Sequence, residues 1–258
     1  MTEGDRMLTE ERLQEILKLL EKKGSVSTQE IMDTLDISES TARRDLMALD
    51  EQGRLMKVRG GALLKGDTYS TREETMSQKK TLNLEEKKVI ARYAASLLEA
   101  DDFVFLDAGS TTELMIDYMT EKDVTFVTNA VSHARKLSEK GYTTYILGGE
   151  FKATTEAIVG DETIESLQKY NFTKGFWGTN GVNDKMGFST PDAREAMVKK
   201  TAMQHCAERY VLSDSSKISR ISCVKFADFA NAFIITTKIS DEKYSGYENI
   251  IEVQGGAR

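Results

Sequence analysis

Ser38-Glu-Ser-Thr-Ala-Arg-Arg-Asp-Leu46 is the stretch on which the reading of the chain turns. Ser38 suits an N-cap, and Ala42, Leu46 and Leu49 recur at helical spacing, giving one apolar stripe for a small core. The opposite face carries Ser40, Thr41, Arg43 and Arg44. Short hydroxyls approach phosphate oxygens closely, and guanidiniums fork onto guanine edges or phosphates. The same residues also fit an ordinary amphipathic helix with a solvated charged face. The neighbouring segments decide between the two.

Upstream, Thr9 caps a segment with Glu10 and Glu11 at its start and Leu13, Ile16, Leu17 and Leu20 as its stripe, and Gly24 ends it. Ser27-Thr-Gln-Glu30 is a capping box opening a second short helix through Ile31 and Leu35, and Asp36-Ile37 turns straight into Ser38. Three short helices in this order with tight turns make a helix-turn-helix. After Gly53, Leu55 to Val58 reads as a strand, Arg59-Gly60-Gly61 as a turn and Ala62 to Leu64 as the returning strand. Such a wing lays Arg54, Lys57 and Arg59 along a phosphate backbone.

Residues 8 to 62 thereby resemble the winged helix of the DeoR family of bacterial sugar-catabolism regulators. The matching residues are Arg12, Ile16, Leu20, Ser38, Thr41, Arg43, Arg44, Asp45, Leu46 and Gly60-Gly61-Ala62. The family places a histidine before the glycine pair, where this chain has Arg59. The resemblance implies double-stranded operator DNA as a partner, contacted by Ser38, Ser40, Thr41, Arg43, Arg44, Arg54, Lys57 and Arg59.

The chain has 258 residues, enough for a small and a medium domain, with 40% hydrophobic and 30% charged residues. It has no apolar run of membrane-spanning length, and Met-Thr-Glu-Gly-Asp lacks the pattern of a signal peptide, so a cytoplasmic location is expected. Two cysteines, Cys206 and Cys223, are too few for a disulfide framework; with His133 and His205 as the only histidines, no metal site and no cofactor are expected. Net charge is -7, and Met1 to Ala62 holds 10 Lys plus Arg against 13 Asp plus Glu. That argues against strong nonspecific affinity for nucleic acid but allows a local cationic footprint on the third helix and wing.

Residues 63–80 are polar and poorly periodic and read as a linker, partly helical, between a DNA-binding domain over 1–62 and a second domain over 81–258. From Leu84 to Leu98 the period is helical. Thereafter Phe103 to Leu106, Val124 to Val127, Thr144 to Leu147, Gly175 to Trp177, Tyr210 to Leu212 and Phe233 to Ile235 read as strands. Helices are expected at Glu113 to Met119, Val131 to Lys140, Thr163 to Tyr170 and Ala193 to Ala207. This alternation predicts a mostly parallel sheet covered on both faces, with ligands gathering beyond the carboxyl ends of its strands.

The strand-end loops carry the candidate site. Asp107-Ala-Gly-Ser-Thr-Thr112 enters a helix: Gly109 admits a close approach, and Ser110, Thr111 and Thr112 with the first helical N–H groups cradle an anion. Thr128-Asn129, Gly148-Gly149-Glu150, Gly178-Thr-Asn-Gly181 and Asp214-Ser-Ser-Lys217 offer small or hydrogen-bonding residues, with Lys217 able to pair with phosphate. Each of these loops singly also fits a plain tight turn. Gly187 to Asp192, around the sole proline Pro191, reads either as a lid or as the first turn of the helix carrying Glu195 and Lys199.

The second half is also similar to the DeoR family, whose C-terminal domain resembles ribose-5-phosphate isomerase and senses phosphorylated sugars. The matches are Asp107 to Thr112, Thr128-Asn129, Leu147-Gly-Gly149, Val159-Gly160, Asn180-Gly181 and Asp214 to Lys217. Gly178 to Val182 with Thr190-Pro-Asp192 and Glu195 looks most like the branch that regulates fructose operons. The fold class expected is therefore α/β, a winged helix-turn-helix plus a larger alternating α/β sensor domain. The implied effector is a phosphorylated sugar, fructose phosphate favoured, held by Asp107, Gly109 to Thr112, Thr128, Asn129, Gly149, Asn180, Gly181, Glu195 and Lys217. A homo-oligomer is expected as the DNA-binding form. The alternative is a phosphosugar isomerase bearing a DNA-binding head, with Glu150, Asp184 or Glu195 as base. Against it, amides occupy Asn180 and Asn183 where the isomerases' acidic loop has carboxylates. A scaffold using the helix-turn-helix as a protein contact ranks last.

Overall fold

The stripe of Leu13, Ile16, Leu17 and Leu20 buries one side of α1 (Thr9–Lys23). The computed structural model describes residues 9–23, 25–52, 54–58, 60–64, 68–70 and 74–255. Gly24, read above as a helix stop, Gly53, which precedes the first wing strand, and Arg59, read as a phosphate contact, lie outside the described residues. The chain divides into two units, Met1–Tyr69 and Ser70–Arg258.

In the first unit α1 is followed by β1 (Ser25–Ser27), α2 (Thr28–Leu35), α3 (Glu39–Glu51), β2 (Leu55–Val58) and β3 (Gly61–Leu64). Thr9 stands inside α1 rather than capping it. Ser27 accepts the Glu30 N–H at 3.0 Å and Ser38 accepts the Thr41 N–H at 3.3 Å, so both predicted caps satisfy an otherwise orphaned donor. The strands form an antiparallel sheet in the order β1-β3-β2. Ile31, Ala42, Leu46 and Leu49 meet the α1 stripe, with Val26, Leu55 and Ala62 closing the core from the sheet. Gly61 is required by contact: a Cβ there would lie 2.2 Å from the Val26 carbonyl oxygen.

A charged pair braces this small core. The Asp45 carboxylate on α3 accepts from Arg12 of α1 through Nε and, at 3.0 Å, through Nη2. Asp45 is buried and Arg12 nearly so, and the Asp45 hydrogen bond raises the already high Arg12 pKa. The bidentate geometry spans two helices 33 residues apart in sequence.

In the second unit, β4 (Thr68–Ser70) straddles its start, and α4 (Met76–Thr81) and α5 (Leu84–Ala95) precede β5 (Asp102–Leu106). The segment 63–80, read above as a partly helical linker, holds most of α4. Thr75 and Gln78 form a reciprocal capping box, with bonds of 3.3 and 3.0 Å, that starts α4. Then follow α6 (Ser110–Tyr118), β6 (Val124–Thr128), α7 (Val131–Glu139), β7 (Thr143–Ile146), β8 (Glu150–Lys152), β9 (Ala157–Val159) and α8 (Asp161–Leu167). The remainder is β10 (Phe172–Gly178), β11 (Gly181–Asn183), β12 (Gly187–Thr190), α9 (Ala193–Gln204), β13 (Cys206–Leu212), β14 (Arg220–Ser222), β15 (Val224–Ala227), β16 (Phe233–Thr236) and β17 (Ile250–Glu252).

Seven strands pair in parallel, in the order β17-β16-β13-β10-β5-β6-β7. Successive residues of each strand face opposite sides: Phe105, Val127, Trp177, Val211 and Ile234 share a core with α8 and α9. Val104, Leu106, Phe126, Phe176, Leu212 and Ile235 share the other with α5, α6 and α7. From β5 the chain winds outward through β6 and β7, and from β10 it winds the opposite way through β13, β16 and β17. The β5/β10 seam is therefore the topological switch point, where a parallel sheet leaves a crevice at its carboxyl edge. The lid reading of Gly187 to Asp192 is also corrected. β12 is buried along its length within the antiparallel sheet β11-β12-β15, and Pro191 precedes the N-cap Asp192 of α9.

Removing the Asp45 carboxylate strands a nearly buried guanidinium. Asp45→Ala is expected to destabilise the first unit by about 3 kcal/mol, read by chemical unfolding of the full chain, whereas Arg43→Ala on the solvent face of the same helix should stay within about 0.5 kcal/mol of wild type.

Candidate DNA-contacting helix and anion-binding cavity

The outer face of α3 is set by what its inner face buries. With Ala42, Asp45, Leu46 and Leu49 inside, Ser40, Arg43, Arg44 and Met47 stand outside, and all four are exposed. Thr41 is half-buried, its hydroxyl 3.0 Å from that of Ser38. Arg43 pairs with Glu39 one turn earlier at 2.5 Å and is 67% exposed, so it is held over the start of the helix yet remains reachable. Arg54 and Lys57 are exposed at the wing, the Lys57 amide held by Asp50 at 3.1 Å. Sequence reasoning overlooked Met47; its signal was its place one turn beyond Arg43.

At the β5/β10 seam a cavity of about 220 Å³ opens. One wall is the turn into α6: Gly109 has extended backbone and makes no side-chain cap, which leaves the first N–H groups of α6 to the cavity beside Ser110 and Thr111. Lys87 of α5 enters from the side, buried, with Nζ donating to Ser110 Oγ at 3.1 Å and to the Lys79 carbonyl. Burial holds its pKa below the ordinary lysine value; Asp214 and Glu74 oppose that shift, and Lys217 and Lys79 reinforce it. Lys217 lines the far wall, 3.4 Å from the Glu74 carboxylate.

Beneath the cavity floor Asp107 is 1% exposed; it accepts the Gly178 N–H at 3.0 Å and pairs with Lys199 of α9. Lys199 Nζ also donates to the Gly178 carbonyl at 3.1 Å. One turn earlier on α9, Glu195 accepts from Lys152 at 3.1 Å, from the Thr155 hydroxyl and from Thr190 at 3.4 Å. Burial pushes the Glu195 pKa up, but Lys199, Thr155 and Lys152 outweigh it and hold the carboxyl below its usual range.

Of the residues read as effector contacts, Gly109, Ser110, Thr111, Asn180, Glu195 and Lys217 line this cavity. The others serve the frame. Asp107 lies below, bound as above. Thr112 donates to the Asp107 carbonyl at 2.7 Å and touches His133, a fully buried ring whose pKa burial lowers to about 3. Thr128 donates to the Leu106 carbonyl at 2.6 Å, and Asn129 bridges the Ala108 N–H at 3.0 Å and the Ile158 carbonyl at 3.3 Å. Gly149 adopts φ +139°, where a Cβ would lie 2.3 Å from Thr163 Oγ1; at Gly181 it would lie 2.5 Å from the Arg220 carbonyl. At Thr112, Thr128 and Asn129 the cause is the same: a hydroxyl or amide at a strand end satisfies neighbouring backbone first. Sequence reasoning missed Lys79, Lys87, Thr155, Lys199 and Arg220 of the lining, which come from segments other than the loops that follow the parallel strands.

Comparison with known proteins bears on both regions. Residues 12–68 match the DeoR-like helix-turn-helix domain and residues 82–238 the DeoR C terminal sensor domain. A protein of Bacillus subtilis strain 168 described as an uncharacterized HTH-type transcriptional regulator, FruR, is 44% identical over 243 residues, covering 94% of this chain and 96% of its own. A lactose phosphotransferase system repressor of Staphylococcus epidermidis is 36% identical, covering 94% and 98%. Among solved structures, ribose 5 phosphate isomerase A from Neisseria gonorrhoeae aligns at 14% identity and a TM-score of 0.40, over 58% of this chain and 57% of its own. Among the described residues no helix is long and apolar enough to cross a membrane. With both domain matches in order and relatives aligned end to end, the chain belongs to the DeoR family of helix-turn-helix transcriptional regulators.

Proposed function

We propose that this regulator represses a sugar-utilisation operon in the cytoplasm as a homo-oligomer, and that a phosphorylated sugar bound in the second unit's cavity controls it. The observation that carries the effector reading is the convergence of the uncapped start of α6 with Lys87 and Lys217 on one cavity at the switch point. A phosphate suits the α6 amides, Ser110, Thr111, Lys87 and Lys217; sugar hydroxyls suit Asn180, Thr155 and Glu195. The lactose phosphotransferase system repressor among the relatives favours repression, and the resemblance of Gly178 to Val182, Thr190-Pro-Asp192 and Glu195 to the fructose-operon branch favours a fructose phosphate. The effector acts only through unequal affinity for DNA-competent and DNA-incompetent states, about 5- to 150-fold in typical coupling. Two subunits would set paired α3 helices on half-sites one helical turn, or a multiple, apart.

Thermal-shift titration with fructose 1-phosphate, fructose 6-phosphate, tagatose phosphates and glycerol phosphate, paired with operator release, tests the effector. Lys217→Met and the Ser110→Ala/Thr111→Ala pair should abolish the response while leaving operator binding intact; a retained response moves the effector site elsewhere. Conversely, Arg43→Ala or Arg44→Ala should weaken operator binding about tenfold or more with an unchanged thermal shift, and undiminished DNA binding would remove α3 from the interface. A coupled assay should find no isomerisation of these sugar phosphates; turnover above background that Glu195→Gln abolishes would reverse the sensor reading.

A further inference from the structure

Met47 has no part in the core of the first unit, which closes without it. It is 50% exposed, and among the residues of that unit whose side chains are described it is the one large apolar side chain left in solvent. Its neighbours on the outer face of α3 are Ser40, Arg43 and Arg44, at the i, i+3, i+4, i+7 spacing of a single helix face. Polar side chains at such a face meet phosphates and base-edge donors and acceptors. A thioether meets neither well.

The major groove presents one apolar feature, the C5 methyl of thymine. Met is unbranched and polarizable and adapts to an irregular surface, so its terminal methyl packs against that group without a fixed geometry. We infer that Met47 is a base-reading residue that selects thymine through its methyl group. The inference rests on α3 being the helix that enters the groove. Met47 lies one turn beyond Arg43, about 6 Å along the axis of α3 at about 1.5 Å per residue. The thymine therefore stands on a base pair close to the one that Arg43 addresses.

Selection of duplexes from a random-sequence pool by the full chain supplies the probe. Replacing each thymine of the selected duplex in turn by deoxyuridine deletes only the methyl group and preserves O4 and pairing. At one thymine per half-site, wild-type affinity should fall about three- to tenfold, the scale of one buried methyl. Met47→Ala should bind the thymine and deoxyuridine duplexes alike, and Arg43→Ala, weaker overall, should keep the methyl preference. Wild-type protein indifferent to deoxyuridine at every position overturns the inference whatever the variant's folding, as does Met47→Ala that keeps the full preference. A pool that yields no enriched duplex overturns this inference together with the DNA-contacting role of α3, an outcome distinct from a bound duplex whose methyl groups go unread.

Discussion

The buried pair of Asp107 and Lys199 is the constraint on which the second unit's cavity depends. Asp107 directly follows β5, Gly178 ends β10, and Lys199 belongs to α9; one carboxylate, one ammonium and both polar groups of one glycine tie the three together. Charges taken out of water are tolerated only when paired and hydrogen-bonded, and removing one partner strands the other. Because the two strands meet where the winding reverses, this knot sets the spacing of the crevice. It also orients Glu195, one turn before Lys199 on the same side of α9, toward the cavity.

Much of this was legible from the chain alone, where local chemistry repeats over a whole element. Ser27 and Ser38 announced their helices, and short apolar runs such as Phe103 to Leu106 announced the central strands. Longer strands than expected emerged at Phe172–Gly178 and Cys206–Leu212, where Lys174 and Glu208 interrupt the apolar run. Lys174 is nevertheless buried, paired with Asp102 at 2.9 Å and Glu99 at 2.6 Å. The strands β8, β9, β11 and β12 span three or four residues each, too short for any periodicity to register. Thr128 and Asn129 illustrate a different limit. Their position at a strand end was correctly read, but whether such a side chain turns to its own backbone or to a ligand depends on partners from distant segments, here Leu106, Ala108 and Ile158.

The acidic balance of the chain is compatible with duplex binding because charge is partitioned by face. Asp45, at the centre of α3, is consumed internally by Arg12, and Glu39 is engaged with Arg43. Exposed acids such as Glu10, Glu11 and Asp33 belong to α1 and α2, while the outer face of α3 presents Arg43 and Arg44. Uniform attraction to phosphate is thereby low, and what remains is a small cationic ridge that rewards only correct docking. Specificity under such conditions falls to contacts that discriminate bases rather than to bulk charge.

The same logic explains why the cavity suits recognition more than proton transfer. A general base needs a free lone pair and a pKa near the working pH. Glu195 instead accepts from Lys152, Thr155 and Thr190 and is held low, while Glu150 is engaged by Arg194 at 2.8 Å and Asp184 is 3.6 Å from Lys243. Asp214 is likewise occupied, accepting from Asn83 at 2.9 Å and from Ser216. Acids committed in this way neutralise part of the lysine charge without closing the cavity. Glu74 stands 3.4 Å from Lys217, and under the proposed function a dianionic phosphate would take its place and gain the α6 amides as well. Such an arrangement is built to favour an anion that brings more charge than a single carboxylate, as the proposed effector does.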